Sequence, residues 1–301
     1  MITNFDQMFE QLRSKPKKRL VAAWGVDDHT ISAVYMAVEA GIVEGILVGD
    51  EAMIQKVCAE NNYDIAKLTV VNNNNELKSI SQAVDMVNAG EADILMKGLC
   101  STDKYMRGIL NKEKGLLPPK AVLSHVCVVQ NPGYHKLLVI SDIAVIPAPD
   151  LKQKQAMIGY VANTARALGV EKPKVAMITA TEQMLPGMPA CVEAAMLAKM
   201  SDRGQIAGCV VDGPLALDVA ICKEAAEIKK LKSEVAGDAD CCVFPSIEAA
   251  NVFYKLAGHF IPGVKMAAMV AGAKAPCVLS SRADSTETKL NSIALAALTA
   301  K

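Results

Sequence analysis

The chain lacks a net charge: 32 Lys and Arg residues balance 32 Asp and Glu residues over 301 positions. Its basic residues cluster no further than Lys15, Lys17, Lys18 and Arg19, ahead of an expected strand. A nucleic-acid-binding face needs a basic stripe, so no nucleic-acid partner is expected. There is no CxxC pair; the nine cysteines are odd in number and scattered, and most, such as Cys127, Cys209 and Cys277, sit in apolar stretches. That pattern predicts reduced, buried thiols rather than a disulfide framework. His29, His125, His135 and His259 have no metal-ligand spacing, and no metal is expected. The GxxxxGK[ST] loop, a GxGxxG after the first strand and the GxSxG elbow are all missing, which leaves ATP hydrolysis and dinucleotide binding by the usual loops without support. No run has the length and uniform apolarity of a membrane span. The start, MITNFDQMFEQLRSKPKK, has acidic residues and no signal-peptide core; it reads as an amphipathic helix with Phe5, Met8, Phe9 and Leu12 on one face. A soluble, cytoplasmic protein with no membrane partner is the expectation.

What is present is apolar and orderly. Apolar residues make up 51% and charged residues 21%, enough for one large α/β domain or two ordinary ones. Strand-like runs at 19–25, 45–50 and 92–98 alternate with helical patterns such as 30–41, ended by Gly41. The runs at 120–130 and 136–142 read as strands joined by the turn Asn131-Pro132-Gly133. A helix follows Asp150, with Met157, Val161, Ala165 and Leu168 on one face; strands at 174–180, 206–213 and 241–245 then alternate with helices after Pro189, from about Asp218, and through Asn251 and Lys255. The alternation in the first half predicts a parallel sheet covered on both faces.

Four stretches hold residues that could form a site, the first two of types suited to an anion. In APCVLSSRADSTETKLNSIALAAL (275–298), Asp284 with Glu287, or Ser281 with Asp284, would cap a helix beginning near Ser285. A helix start offers free N–H groups, and Arg282 adds a fork of donors. In MKGLCSTDKYMRGIL (96–110) a strand ends at Lys97-Gly98, and Ser101, Thr102 and Asp103 precede a helix carrying Lys104 and Arg107. Ligands in doubly wound sheets bind beyond the carboxyl ends of strands. In VVDGPLALDVAI (210–221), Gly213 and Pro214 read as a strand-to-helix turn. In VFPSIEAANVFYKL (243–256), Asn251 and Lys255 share a helix face at i, i+4. For each stretch, an ordinary cap, turn or helix-surface pair remains open beside the functional alternative.

Taken in order, RLVAAWGVDDHTISAVYMAVEAGIVEGILVGD, LMKGLCSTDKYMRGIL, LLVISDIAVIPAPD, VVDGPLALDVAI with VFPSIEAANVFYK, and VLSSRADSTETKLNSIALAAL resemble the blocks of the phosphate acetyltransferase/phosphate butyryltransferase family over nearly the whole chain. The form SSRADS…K…SIALAA and the compact length are more similar to the butyryltransferase branch. The resemblance implies reversible acyl transfer, acyl-CoA plus phosphate giving acyl phosphate plus CoA, in a ternary complex with no bound cofactor and no covalent acyl-enzyme. Acyl-CoA and inorganic phosphate would be the small-molecule partners. It also implies the two-domain α/β architecture of isocitrate and isopropylmalate dehydrogenases, as a homodimer or larger homo-oligomer, with the active site in the cleft between domains. The first domain would comprise residues 1–118 plus 268–301, the second 119–267. On this resemblance Ser281 and Arg282 bind acyl phosphate and stabilise the transition state, Arg107 and Thr102 hold phosphate, and Ser101, Lys97, Asn251 and Lys255 support substrate binding. Acetyltransferase relatives carry an aspartate, proposed as the base, where this chain has Thr288. Glu287, Asp284 and Asp142 are the substitutes considered. An acetyl preference, a metal- and NAD-dependent dehydrogenase of the same fold, and a non-catalytic acyl-CoA-binding protein remain as alternatives.

Overall fold

The computed structural model describes residues 1–280 and 284–301, and the chain divides into two compact units. The first unit holds Phe5–Leu123 and Ala267–Lys301; the second holds Met1–Asn4 and Ser124–Met266.

In the first unit, α1 (Phe5–Arg13) precedes β1 (Lys18–Ala23), α2 (Asp28–Glu39), β2 (Val43–Gly49), α3 (Glu51–Glu60), β3 (Leu68–Asn72), α4 (Glu76–Asn88), β4 (Ile94–Lys97) and α5 (Thr102–Ile109). The α1 face buries Phe5, Met8 and Leu12, as its periodicity predicts. Strands β3, β2, β1 and β4 lie side by side and parallel. Every residue of β4 is buried, and so are the last four of β1. Successive strand residues face opposite ways, so such unbroken burial means both faces are covered. Each crossover helix starts with a side-chain cap just past a strand end: Asp27 accepts from the Thr30 N–H, Asp50 from Met53, Asn75 from Lys78 and Ser101 from Lys104. The polar patch Asn72–Asn75 is therefore capping hardware, and Asn72 Oδ1 also accepts the Glu51 N–H at 3.1 Å.

The second unit contains β5 (Ser124–Gln130), β6 (Leu138–Ser141), α6 (Leu151–Ala167), β7 (Lys174–Ile178), α7 (Pro189–Asp202), β8 (Val210–Leu215), α8 (Leu217–Ile221), α9 (Lys223–Ile228), β9 (Cys241–Val243) and α10 (Ile247–Phe260). Asn131 turns the β5–β6 hairpin, its Oδ1 accepting the Gly133 N–H at 2.9 Å. Strands β6, β9, β7 and β8 are parallel in that order, whereas β5 runs antiparallel to β6. Lys136, Lys174, Asp238 and Asp240 tie the starts of β6, β7 and β9 together: Lys136 bridges Asp238 and Asp240 at 2.9 and 2.7 Å, and Lys174 reaches Asp238 at 2.6 Å.

The chain returns through β10 (Lys265–Ala271), β11 (Cys277–Val278) and α11 (Thr286–Thr299). Strand β11 pairs parallel to β4 and antiparallel to β10. The α/β class is as expected, and β1–β4 pair in parallel as the first half predicts; β5–β6, the turn-linked pair, and β10–β11 are antiparallel, because both are joined by connections too short for a crossover. Gly213 and Pro214 lie inside β8 rather than in the expected turn. Strand β8 is last in the order, where an edge position tolerates a missing N–H. A Cβ on Gly213 would come within 2.7 Å of the Met177 Cβ, so glycine lets the two strands approach.

Candidate active site

Parallel strands deliver their carboxyl ends to one edge of a sheet, and β1, β4 and β11 are neighbours in the first unit. The β1–α2 and β4–α5 loops are stitched together there. Gly98 and Leu99 donate their N–H groups to the Ala23 and Trp24 carbonyls at 3.0 and 2.9 Å. A Cβ at Gly98 would stand 2.1 Å from the Trp24 carbonyl oxygen, so only glycine permits the crossing. Trp24 itself takes a left-handed conformation, φ 57°. Helix α5 is seated by the buried Tyr105, whose hydroxyl lies 3.2 Å from both the Leu95 and Val278 carbonyls, one on β4 and one on β11.

This construction leaves a cavity of about 170 Å³ lined by Asp27, His29, Thr30, Lys97, Gly98, Leu99, Ser280 and Lys289. A drug-sized ligand takes roughly 300–1,000 Å³, so the space suits a small anion or the reacting end of a longer substrate. Lys97 and Lys289 are 9% and 6% exposed. Burying an ammonium is costly, and lysine is seldom buried without a charge or dipole to answer it. Lys97 Nζ donates to the Gly98 carbonyl at 3.3 Å, and Lys289 Nζ to the Asp284 carbonyl at 2.7 Å. An ammonium has three donors, so Lys289 keeps capacity for an anion beyond that bond. The Thr30 and Ser280 hydroxyls stand in the same lining, below the N-terminus of α2. Asp27 is the one carboxylate among the described residues of the wall. Its Oδ2 accepts the Thr30 N–H at 3.1 Å, while its Oδ1 is buried with no hydrogen-bond partner among the described residues. Leaving a buried acceptor unmet costs about 1–3 kcal/mol, more when it is charged.

The residues singled out from sequence are distributed as follows. Lys97 lines the cavity. Ser101 caps α5, accepting the Lys104 N–H at 3.3 Å, and Thr102 opens that helix. Arg107, in the last turn of α5, is 3.1 Å from Asp103 and well exposed. None of these three belongs to the cavity wall. Asn251 and Lys255 lie in the second unit on α10, where Asn251 Nδ2 donates to the Ile143 carbonyl at 3.0 Å and the Lys255 ammonium sits 5.4 Å from the Tyr254 ring centre. Ser281 and Arg282 lie outside the described residues, next to Ser280 in the chain.

The base candidates fare differently from one another. Asp142 is 2% exposed, and its two oxygens accept four backbone N–H groups: Oδ1 from Ala144 and Val145, both at 2.8 Å, and Oδ2 from His125 at 3.0 Å and Ile146 at 3.3 Å. Those bonds fill the lone pairs that a base would use, making Asp142 the anchor of its loop. Glu287 is exposed in the first turn of α11, and Asp284 presents its carbonyl to Lys289. The cap of α11 is not Asp284 but Ser285, which accepts the Thr288 N–H at 3.1 Å; Ser281, the other expected cap, lies outside the described residues. A serine one residue nearer the helix fits the Ncap-to-N3 spacing, so the expected Asp284–Glu287 box is displaced.

Asp27, Thr30 and Lys289 were not legible as site residues. Asp27 carried only the signal of a cap directly after β1, and Lys289 that of a lysine in an apolar-rich helix. Among the described residues, no group of three or more His, Cys, Asp or Glu gathers as a metal site, and no helix is long and apolar enough to cross a membrane.

Known proteins share this chain from end to end. It is 44% identical over 300 residues to the phosphate butyryltransferase of Clostridium acetobutylicum, covering 100% of this chain and 99% of that one. It is 42% identical over 293 residues to the phosphate acetyltransferase of Thermotoga maritima, covering 97% and 98%. The crystal structure of a branched-chain phosphotransacylase from Enterococcus faecalis V583 superposes with a TM-score of 0.82 at 30% identity, over 94% of this chain and 98% of that one. The family described as phosphate acetyl/butaryl transferase matches residues 4–85 and 74–297. With likeness of that extent in sequence and fold alike, the chain belongs to the phosphate acetyl/butaryl transferase family.

Proposed function

We propose that this protein is a phosphate acyltransferase that moves a short acyl group, butyryl foremost, reversibly between CoA and phosphate. In one direction acyl-CoA and phosphate give acyl phosphate and CoA; both substrates are held together in a ternary complex. The observation that carries the reading is the cavity at the carboxyl ends of β1 and β4, where two nearly buried lysines face a space of small-anion size. The chemistry asks for that. Phosphate and acyl phosphate need cations and N–H donors, and the tetrahedral intermediate develops an oxyanion that preorganised donors stabilise. Holding two anionic partners in register removes much of the entropic barrier.

Within this proposal Ser281 and Arg282 follow Ser280 of the cavity wall and take the acyl phosphate. Arg107 and Thr102 guide phosphate from α5, Ser101 holds the start of that helix, and Asn251 and Lys255 are supporting substrate-binding candidates. The finer architectural reading, that of isocitrate and isopropylmalate dehydrogenases, belongs to the same proposal. So do assembly as a homodimer or larger, a cytoplasmic location and the lack of a bound cofactor. The butyryl preference is supported by the 44% identical clostridial enzyme named for that substrate, and the acetyl alternative by the 42% identical acetyltransferase.

The test is phosphate-dependent release of free CoA thiol, followed with acetyl-, propionyl-, butyryl- and isobutyryl-CoA. The expected outcome is release that requires phosphate and is fastest with butyryl-CoA, and that is lost in a folded Arg282→Ala variant. Folded wild-type protein that releases no thiol from any of the four would overturn the reading.

A further inference from the structure

Resting on the acyltransferase reading, we propose that Asp27 is the proton acceptor for the CoA thiol and the proton donor to the departing phosphate. A thiol of ordinary acidity is only a few per cent ionised at pH 7, and the thiolate is the nucleophile. The position where acetyltransferase relatives carry an aspartate is Thr288 here, and its main-chain N–H is taken up by the Ser285 cap. A threonine hydroxyl does not accept a proton at neutral pH. Asp142 is saturated by four backbone N–H groups, and Glu287 is exposed on the outside of α11. Asp27 differs from all three. Its Oδ2 is fixed by the Thr30 N–H at 3.1 Å, which orients the carboxylate; the residue lines the cavity, and its Oδ1 is buried with no hydrogen-bond partner among the described residues. One oxygen anchors the group, and the other has capacity for a donor that enters the cavity.

The groups facing this carboxylate across the cavity are Lys97 from the end of β4, Lys289 from α11 and, on its own helix, His29. Asp28, the next residue, is turned to other work: its Oδ1 accepts from Ser32 Oγ and Asn61 Nδ2 at 3.1 and 2.8 Å. Both ammoniums line the same cavity and offer donors to the phosphoryl group that the thiol must approach. His29 is exposed at the rim of this lining.

The step balances without an outside acid or base. With acyl phosphate bound, the S–H bond of CoA breaks and its proton passes to Asp27 Oδ1. The thiolate sulfur forms a bond to the acyl carbon, and the carbonyl electrons move onto oxygen. On collapse the C–O bond to phosphate breaks. The leaving oxygen takes the proton from Asp27, so hydrogen phosphate departs and the carboxylate is restored. In reverse, hydrogen phosphate gives its proton to Asp27 as it attacks acyl-CoA, and the departing thiolate collects it.

Asp27 also caps α2, and the test separates the two roles. Asn and Ser are both good caps, so Asp27→Asn and Asp27→Ser retain the helix start while losing the base. The expected result is a thermal midpoint close to wild type, with kcat/KM for CoA and butyryl phosphate about 100-fold lower or more at pH 7. That deficit shrinks as pH rises toward the thiol's own ionisation, because thiolate formed in solution needs no base. The wild-type enzyme gives a second readout that needs no variant: its kcat/KM stays level through neutral pH instead of climbing about tenfold per pH unit with thiol ionisation. Variants at wild-type rate, a deficit equal at every pH, or a wild-type profile that climbs with the thiol would each overturn the proposal while leaving the acyltransferase activity standing. A wild type with no activity at all would overturn both.

Discussion

Two lysines, at the end of β4 and in α11, are more than nine-tenths buried, and burying an ammonium is costly. Lys97 was legible because it ends a strand run just before Gly98, and strand ends are where ligands bind. Lys289 was not, because a lysine four residues past a helix cap usually lies on a solvated face; its burial depends on how α11 packs on α2 and α1, which no local pattern reveals. The structure puts both in one cavity wall, and Lys289 can be removed with little disturbance to packing. Methionine keeps most of the lysine stem and removes the cost of burying an ammonium, against the loss of its bond to the Asp284 carbonyl. Hydrogen bonds to charged groups are worth about 1.5–3 kcal/mol, or roughly 10- to 100-fold in binding. Lys289→Met is therefore expected to raise the KM for phosphate by about that factor while the thermal midpoint stays near wild type. Steady-state rates at varied phosphate, beside a melting curve, check it; an unchanged phosphate KM would remove Lys289 from the anion site.

At the scale of elements, the charged clasp of the second unit makes a distinct prediction. Asp238 bonds to Lys136 and Lys174 at the starts of β6 and β7, with His135 2.9 Å away. Burial alone would raise the Asp238 carboxyl, but the Lys174 and Lys136 ammoniums outweigh it and hold the group well below the usual carboxylate range. A depressed folded-state pKa stabilises the protein above the unfolded value, about 3.9, and that contribution is lost as pH falls below it toward the folded value. Asp238 is 41% exposed, so solvent screens the pairs to about 1 kcal/mol together, or about 2–4 °C. Asp238→Asn should melt lower than wild type by that amount at pH 7, and the gap should close as pH drops below about 4. Melting curves from pH 3 to pH 7 decide this; a gap independent of pH would mean that the clasp acts through shape and not charge. Of the elements, those with strong apolar periods were readable: β1, α2, β2, β4 and α6 stand within a few residues of their expected places. Strand β3 and the helices beside it were not, because Leu68–Asn72 is short and half exposed and runs into an asparagine tract that resembles a loop. The β8 strand was misread at Gly213-Pro214, whose turn chemistry is overridden by an edge position and a close approach to Met177.

Across the whole molecule, the feature most fully legible was the state of the cysteines, since it follows from apolar surroundings and not from topology. The site was legible only as far as the order of its blocks. Which side chains meet depends on strand order β1–β4–β11, which joins positions near 27, 97 and 280, and sequence periodicity does not encode that adjacency. The thiols need no such knowledge. All nine are free, and eight are buried; Cys222, between α8 and α9, is exposed. Burial disfavours the thiolate, pushing Cys242 and Cys277 up to about 12 and Cys241 up as well, with Cys58, Cys100 and Cys209 raised for the same reason. Only thiolate reacts with a disulfide reagent, so a buried thiol is doubly protected, by access and by ionisation. Titration of the native protein with an aromatic disulfide at pH 8 should consume one thiol promptly, and unfolding in guanidinium should bring the count to all nine. Cys222→Ser should abolish the prompt phase and leave eight after unfolding. Because the buried thiols come from both units, their slow reaction reports the opening of each. Three or more prompt thiols in the native state would mean that at least one unit opens far more readily than its buried strands imply.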